Sequence, residues 1–318
     1  MSLDLSKLLA KPEAAPGTAV VPSPAANAMM VQNLAITPFN STALRRAIDL
    51  PFPGARPSIP TAIHGAMSFD VELAGSGVVD TPAFWSALLN MCMFGAPVPS
   101  AGVQVAYPLA SIGDGGANTL YGYKDNAVSK LYGARANVVF DFTEKQLPKM
   151  SFAALGLILN NAPMIPEAAG ALVLPAAPAP VEVNNANTAI SLGGFTLGCQ
   201  SVKIDMGMKT ALYSTTGTRA SIFDKSADAD RRGAKLTIVA ELPDLAAVNY
   251  FAAASAGTAM VFNMTHGTIA GNFIGLSAGN VVLSAVALAP PVNNRVFVSL
   301  TGDLVPNGPG NEFFLSTR

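Results

Sequence analysis

Few residues in this chain are of a type and spacing that could do chemistry. Its two histidines, His64 and His266, each stand just before a glycine at the edge of a strand pattern. Two isolated imidazoles supply neither a metal-ligand set nor the oriented base that a nucleophile needs. Asp224, Asp228 and Asp230 are spaced like calcium ligands. Lys225, Arg231 and Arg232 lie among them, however, and the closing glutamate of a calcium loop is missing. That turn reads instead as a solvated loop suited to salt links between subunits or between stacked rings. Gly75-Ser76-Gly77 begins like a dinucleotide-binding turn, but its sixth position is Asp80 and no strand–helix–strand unit surrounds it. There is no Walker A run. Asp70 and Glu72 share one face of a strand, as side chains of any solvated strand do. Trp85, Met91 and Met93 read as the core side of a helix. No catalytic residue, cofactor or metal is expected.

The elements that carry these residues repeat. Gly65-Ala66-Met67-Ser68-Phe69-Asp70-Val71-Glu72-Leu73 is followed by Thr81-Pro82 and an apolar helix pattern. Gly233-Ala234-Lys235-Leu236-Thr237-Ile238-Val239-Ala240-Glu241-Leu242 is followed by Pro243-Asp244 and another. Each block is an alternating strand ending in Glu and an apolar residue, then a turn and a helix, so an internal duplication has to be considered before any fold is assigned. Asn280-Val281-Val282-Leu283 echoes Asn137-Val138-Val139-Phe140 in the same order, with a shorter loop before it. Thr81 and Asp244 are the expected helix caps, and Gly95 and Gly257 the expected stops. Strands are expected at 120–124, 128–132, 137–142, 149–155, 196–206 and 212–222, and then in a set running from 260 to 300. A short helix is expected near 41–48 and a long loop at 96–118.

Composition narrows the class. Charged residues make up 12% of the 318 residues and hydrophobic ones 50%, against roughly 25% charged in an ordinary soluble chain. No run approaches the ~18 apolar residues that span a bilayer. A large interface between copies accounts for the missing charge, because interface cores are depleted in charged residues. The net charge of −1 and the absence of a basic stripe argue against a protein that grips nucleic acid through phosphates. Met1 to Lys7 lacks the basic start and long apolar run of a signal peptide. Cys92 and Cys199 lie in apolar segments of different halves and read as buried free thiols. Synthesis in the cytoplasm is expected.

The chain divides into an extended Ala/Pro-rich arm (1–33), a first domain (34–160), an Ala/Pro linker (161–187) and a second domain (188–318). The arm is expected to order only against a neighbour. If the strands bearing Asp70, Glu72 and Glu241 line a pore, their polar, weakly acidic face would let a polyanion slide past. The alternative is an outer solvated face.

The run Gly65 to Gly77, with Thr81-Pro82-Ala83-Phe84-Trp85-Ser86-Ala87-Leu88-Leu89 after it, resembles the major tail tube proteins of long-tailed bacteriophages. Gly133 to Val138, Phe152-Ala153-Ala154-Leu155-Gly156 and Asp230-Arg231-Arg232-Gly233 fit the same pattern. The resemblance covers about residues 55–160 and 190–305. It implies a mainly β fold: two tandem antiparallel β-sandwich or barrel domains, each with one flanking helix. It implies rings whose inner strands close a barrel, stacked into a tube that conducts DNA from capsid to host. It favours the pore reading for Asp70, Glu72 and Glu241, and gives 1–33 and 96–118 contacts to the next ring. Two domains per chain imply a homotrimer with pseudo-six-fold symmetry, a homohexamer being the alternative. The implied partners are tail terminator, tape measure and distal tail proteins, and DNA that passes without specific binding. A virion location after assembly in the host cytoplasm is implied, with no membrane. Other readings are a baseplate or completion ring component, a hydrolase using clustered carboxylates, and an outer-membrane barrel, which would need a signal peptide and aromatic girdles.

Overall fold

Alternating apolar side chains dominate the architecture, and strands outnumber helices throughout. The computed structural model describes residues 6–49, 51–110, 115–213, 221–224 and 232–318, the side chains of 221–224 excepted. The first half holds β1 (Ser6–Pro12), β2 (Ala28–Met29), β3 (Gln32–Arg45), β4 (Ser58–Glu72), α1 (Ser86–Leu89), β5 (Val98–Ser100), β6 (Gln104–Tyr107), β7 (Asn118–Lys124), β8 (Ala127–Thr143), β9 (Lys149–Ile158) and β10 (Ile165–Pro166). The second holds β11 (Thr188–Leu192), β12 (Phe195–Thr196), β13 (Cys199–Asp205), β14 (Thr210–Tyr213), β15 (Ser221–Asp224), β16 (Lys235–Glu241), α2 (Tyr250–Ala256), β17 (Ala259–His266), β18 (Ile274–Val292), β19 (Arg295–Leu304) and β20 (Phe314–Thr317). The fold is mainly β and its pairings are antiparallel, as expected.

The strand order repeats. In the first half the neighbours run β3–β4–β9–β8–β7–β1. In the second they run β13–β16–β19–β18–β17–β11. β10 and β20 pair with the beginnings of β8 and β18, again at matching places. Val139 to Thr143 of β8 pairs with β13, which joins both runs into one sheet. Phe69 and Phe152 stack on its apolar face with centroids 5.2 Å apart. Trp85, at the start of α1, is fully buried there and donates from Nε1 to the Ala74 carbonyl at 2.7 Å. In the second half Tyr250 of α2 takes a comparable place, its hydroxyl donating to Leu192 O at 3.1 Å.

Several local expectations change. Residues 6–12 do not wait for a neighbour: β1 pairs along its whole length with β7 and buries Leu8, Leu9 and Ala10. Glu13 then locks the chain, accepting from Gly17 N, Thr119 Oγ1 and Gly133 N at 2.7–2.8 Å. The helix expected near 41–48 is instead the end of β3, because pairing with β4 as far as Arg45 overrides local propensity. The loop at 96–118 contains β5 and β6, and β6 pairs with β20. Asp244 closes a turn, accepting from Ala246 N, while Asn249 caps α2 through its bond from Ala252 N. The first helix starts at Ser86 without a side-chain cap, and the 3-10 turn after it ends on Met93 in the left-handed region rather than at Gly95. Strand pairing also moves the weaker sequence echo. Val138 and Val286 both stand opposite corresponding residues, Phe152 and Leu300, so Val138 matches Val286 and not Val281.

The Ala/Pro linker is tied down on both sides. Lys145 N donates to Val183 O and Val183 N to Gln146 O, while Asn272 Nδ2 donates to Ala179 O. Gly75 explains the Gly75-Ser76-Gly77 link. A Cβ on Gly75 would meet Gly271 O at 2.0 Å, so glycine allows that loop to lie against the second half, where Gly75 N donates to Asn272 Oδ1.

Candidate functional site

One face of the sheet is apolar and packed; the opposite face carries most of the charged side chains of the central strands in both halves. On β4 the polar face carries Ser68, Asp70 and Glu72, while Met67, Phe69 and Val71 point into the core. On β16 it carries Lys235, Thr237, Val239 and Glu241, opposite buried Leu236, Ile238 and Ala240. Neighbouring strands bring bases to these acids. Lys149 Nζ lies 3.1 Å from Asp70, Lys203 Nζ lies 3.2 Å from Asp141, and Arg295 Nη1 lies 2.7 Å from Glu241. Glu72 accepts from Gln32 Nε2 at 2.6 Å, and Asp205 from Asn137 Nδ2 at 2.7 Å. Partial burial pushes the Asp70 carboxyl up, but hydrogen bonds from Ser151, Asn33 and Lys149 outweigh it and hold the group below the usual carboxylate range.

The three acids named from sequence, Asp70, Glu72 and Glu241, thus stand on one sheet face. Glu72 and Glu241 end the corresponding strands β4 and β16, each opposite a corresponding residue, Lys149 or Phe297. The bases that accompany them on the polar face went unnoticed in the sequence, because cross-strand neighbours are set by register. Of the charged turn, Lys225, Asp228, Asp230 and Arg231 lie outside the described residues. Asp224 is known only by its backbone, which ends β15 opposite Thr210. Arg232 points into the molecule: its Nε lies 2.6 Å from Glu312 Oε1 with both side chains nearly buried, and Nη1 donates to Ala110 O at 3.1 Å.

The sheet has two open ends. β3 pairs with β4 along one edge, and among the described residues no strand pairs with its other edge. β18 pairs with β19 from Val281 to Val292, and its opposite edge is covered by β17 only as far as Val282. Leu288 on that uncovered stretch is 65% exposed, and Phe39, Leu44 and Ile59 are exposed on the outer part of the β3–β4 hairpin. These edges leave backbone N–H and C=O groups without a strand partner among the described residues.

Among the described residues the titratable and nucleophilic side chains are scattered or buried. Among the described residues no group of three or more His, Cys, Asp and Glu side chains could hold a metal ion, and no helix is long and apolar enough to cross a membrane. Burial pushes the Cys92 thiol up and the Cys199 thiol up to about 12, which makes both poor nucleophiles. His266 accepts or donates at Nδ1 with Thr188 Oγ1 (2.8 Å) and contacts Val181 O through Nε2 (3.1 Å), which fixes the linker to β17. Burial holds its imidazole below the usual value, against the hydrogen bond to Val181. A groove of about 620 Å³ beside Glu72, lined by Met29, Val31, Phe84 and the linker prolines, is mostly apolar.

No curated protein matches this chain. The family model described as phage tail tube protein matches residues 4–308. A duplicated antiparallel sheet with one polar face and two open edges, matched over nearly its whole length by that model, places the chain in the phage tail tube protein family, as a structural component of the tail.

Proposed function

We propose that this chain carries two tube units, one in each half, and that three chains close a ring with pseudo-six-fold symmetry. The observation that carries this reading is the seam inside the chain. β8 of the first half pairs with β13 of the second, while the corresponding edges of β18 and β3 stay open. A unit that binds its successor head-to-tail generates a ring when the rotation closes, and rings stacked along their axis give a tube. Closure also removes the two exposed edges. The polar face bearing Asp70, Glu72 and Glu241 lines the lumen. Asp70, Asp141 and Glu241 are paired with bases there, and Glu72 and Asp205 with side-chain amides, so DNA leaving the capsid meets a hydrated surface with no basic stripe to hold its phosphates.

In this reading the protein assembles in the host cytoplasm, takes its place in the virion tail, and meets a tail terminator at one end, distal tail proteins at the other and a tape measure within. In this reading the outer β3–β4 hairpin, with Phe39, Leu44 and Ile59 exposed, meets adjacent rings or subunits. Symmetry-free averaging of electron micrographs of the assembled protein, with native mass spectrometry of its smallest ring, tests this directly. Three chains per ring with alternating unlike units are expected; six equivalent chains would overturn the trimer.

A further inference from the structure

We infer that the contact between neighbouring chains is an uncharged β-seam in one defined register, in which Ile36 of β3 stands opposite Leu288 of β18 in the next copy. This inference rests on the ring reading and gives it residues.

The register is read from the seam within the chain. There Ile204 of β13 pairs with Phe140 of β8, and Lys203 with Asp141. Ile204 stands opposite Leu236 of β16, and Ile36 stands opposite Met67 of β4. Leu236 and Met67 are corresponding buried residues of the repeated strand, so Ile36 takes the place of Ile204. Phe140 stands opposite Met150 of β9, and Leu288 opposite Val298 of β19. Met150 and Val298 in turn pair with Val71 and Ala240, again corresponding residues, so Leu288 takes the place of Phe140. Transposing the seam sets Ile36 against Leu288, Ala35 against Ala289 and Thr37 against Ala287.

Burial supports the transposition. Phe140 is fully buried at the covered seam, whereas Leu288 is 65% exposed at the open one. The chemistry differs as well. The ion pair of Lys203 with Asp141, at 3.2 Å, is replaced at the transposed positions by Ala35 and Ala289. Pro290 and Pro291 follow, and neither has an N–H to donate. The open strand can therefore extend its ladder fully only up to Ala289. A proline on a free edge also discourages pairing in the wrong register. The occupant that fits is a second copy of this chain, whose own open β3 edge presents Leu34, Ala35, Ile36 and Thr37.

The test is a cysteine pair, Ala35→Cys with Ala289→Cys, in the full chain, oxidised after assembly and resolved on a denaturing gel. Covalent oligomers closing at three chains are expected. The displaced pair Ala35→Cys with Ala285→Cys should link at least tenfold less. Light scattering on the same samples separates two failures. Assembled particles that link only in the displaced pair, or in neither, overturn this seam and leave the ring standing. A chain that stays monomeric under all assembly conditions overturns the ring and the seam together. Leu288→Asp supplies an independent reading. Far-ultraviolet circular dichroism should match the parent chain while assembly is lost, and assembly at the parent level would overturn the proposal.

Discussion

Phe140 and Leu288 hold corresponding places in β8 and β18, yet one is sealed in the core and the other stands in solvent. Arg232 and His64 form a second such pair. The bridge from Met208 to Arg232 matches the pairing of Asn40 with His64. Arg232 reaches across to Glu312, Met93 and Ala110, while the His64 ring contacts only the nearby Ala62 carbonyl among the described residues. Where the second half meets the first, side chains are buried and paired. At the matching positions Leu288 of the second half is exposed and His64 of the first is half-buried. Burial in a repeated fold is therefore a property of the contact a position makes, not of the position alone.

The comparison can be broken most sharply at its buried members. Phe140→Ala should cost about 3–5 kcal/mol in urea unfolding, and Leu288→Ala in the dispersed chain under about 0.5 kcal/mol. Equal losses would show that the two positions are not counterparts. Arg232→Met should cost about 3–5 kcal/mol because Glu312 remains buried without its partner, and adding Glu312→Leu should recover most of it. Failure of that second change to rescue would place the value of Arg232 in its bonds to Met93 and Ala110.

The halves should also part company in acid. His266, in the second half, titrates below its ordinary value, so the unfolded chain takes up the proton first. Its contribution is complete above about pH 6.5 and declines as pH falls from there toward the folded value. Asp70, in the first half, is also held low, and its contribution is lost only as pH falls below about 3.8 and through its folded value. Amide exchange followed from pH 7 to pH 3 should show β11 and β17 loosening before β4 and β9; simultaneous loosening would remove this distinction. The smallest effect belongs to the polar face. Lys203→Ala should cost about 0.2–1 kcal/mol, with the loss shrinking in high salt. Adding Ala35→Lys and Ala289→Asp should make assembly salt-dependent where the parent seam is not.

Much of the sheet was legible where side chains alternate cleanly. β4, β8, β9 and β16 show their apolar face every second residue, and the repeat of β4 in β16 foretold a duplicated strand order. β1 was hidden because Leu8, Leu9 and Ala10 are buried on both faces, and a short continuous apolar run has no period to read. β3 was hidden because its outer half is exposed and broken by irregular register, so only pairing with β4 makes it a strand. β6 and β20 span four residues each, too short to show a period, and are held by pairing with β5, with β18 and with one another. At the candidate site the acids Asp70, Glu72 and Glu241 could be named from strand alternation. Their basic neighbours could not, nor could the link between Arg232 and Glu312. Each depends on which distant strands lie side by side.

β20 adds a constraint of timing. It comes after every other strand in sequence, yet it lies between β18 and β6, and Tyr107 of β6 shares a hydroxyl contact with Thr317 at 3.3 Å. A chain emerging from the ribosome can form β4, β8 and β9 early, but β6 has no partner on that side until residues 314–317 have been made. Completion of the β6 edge therefore waits until synthesis has passed the second half. A chain cut short before β20 would leave the β6 edge at Val105 and Tyr107 unpaired, a mark by which proteases and chaperones recognise an unfinished chain.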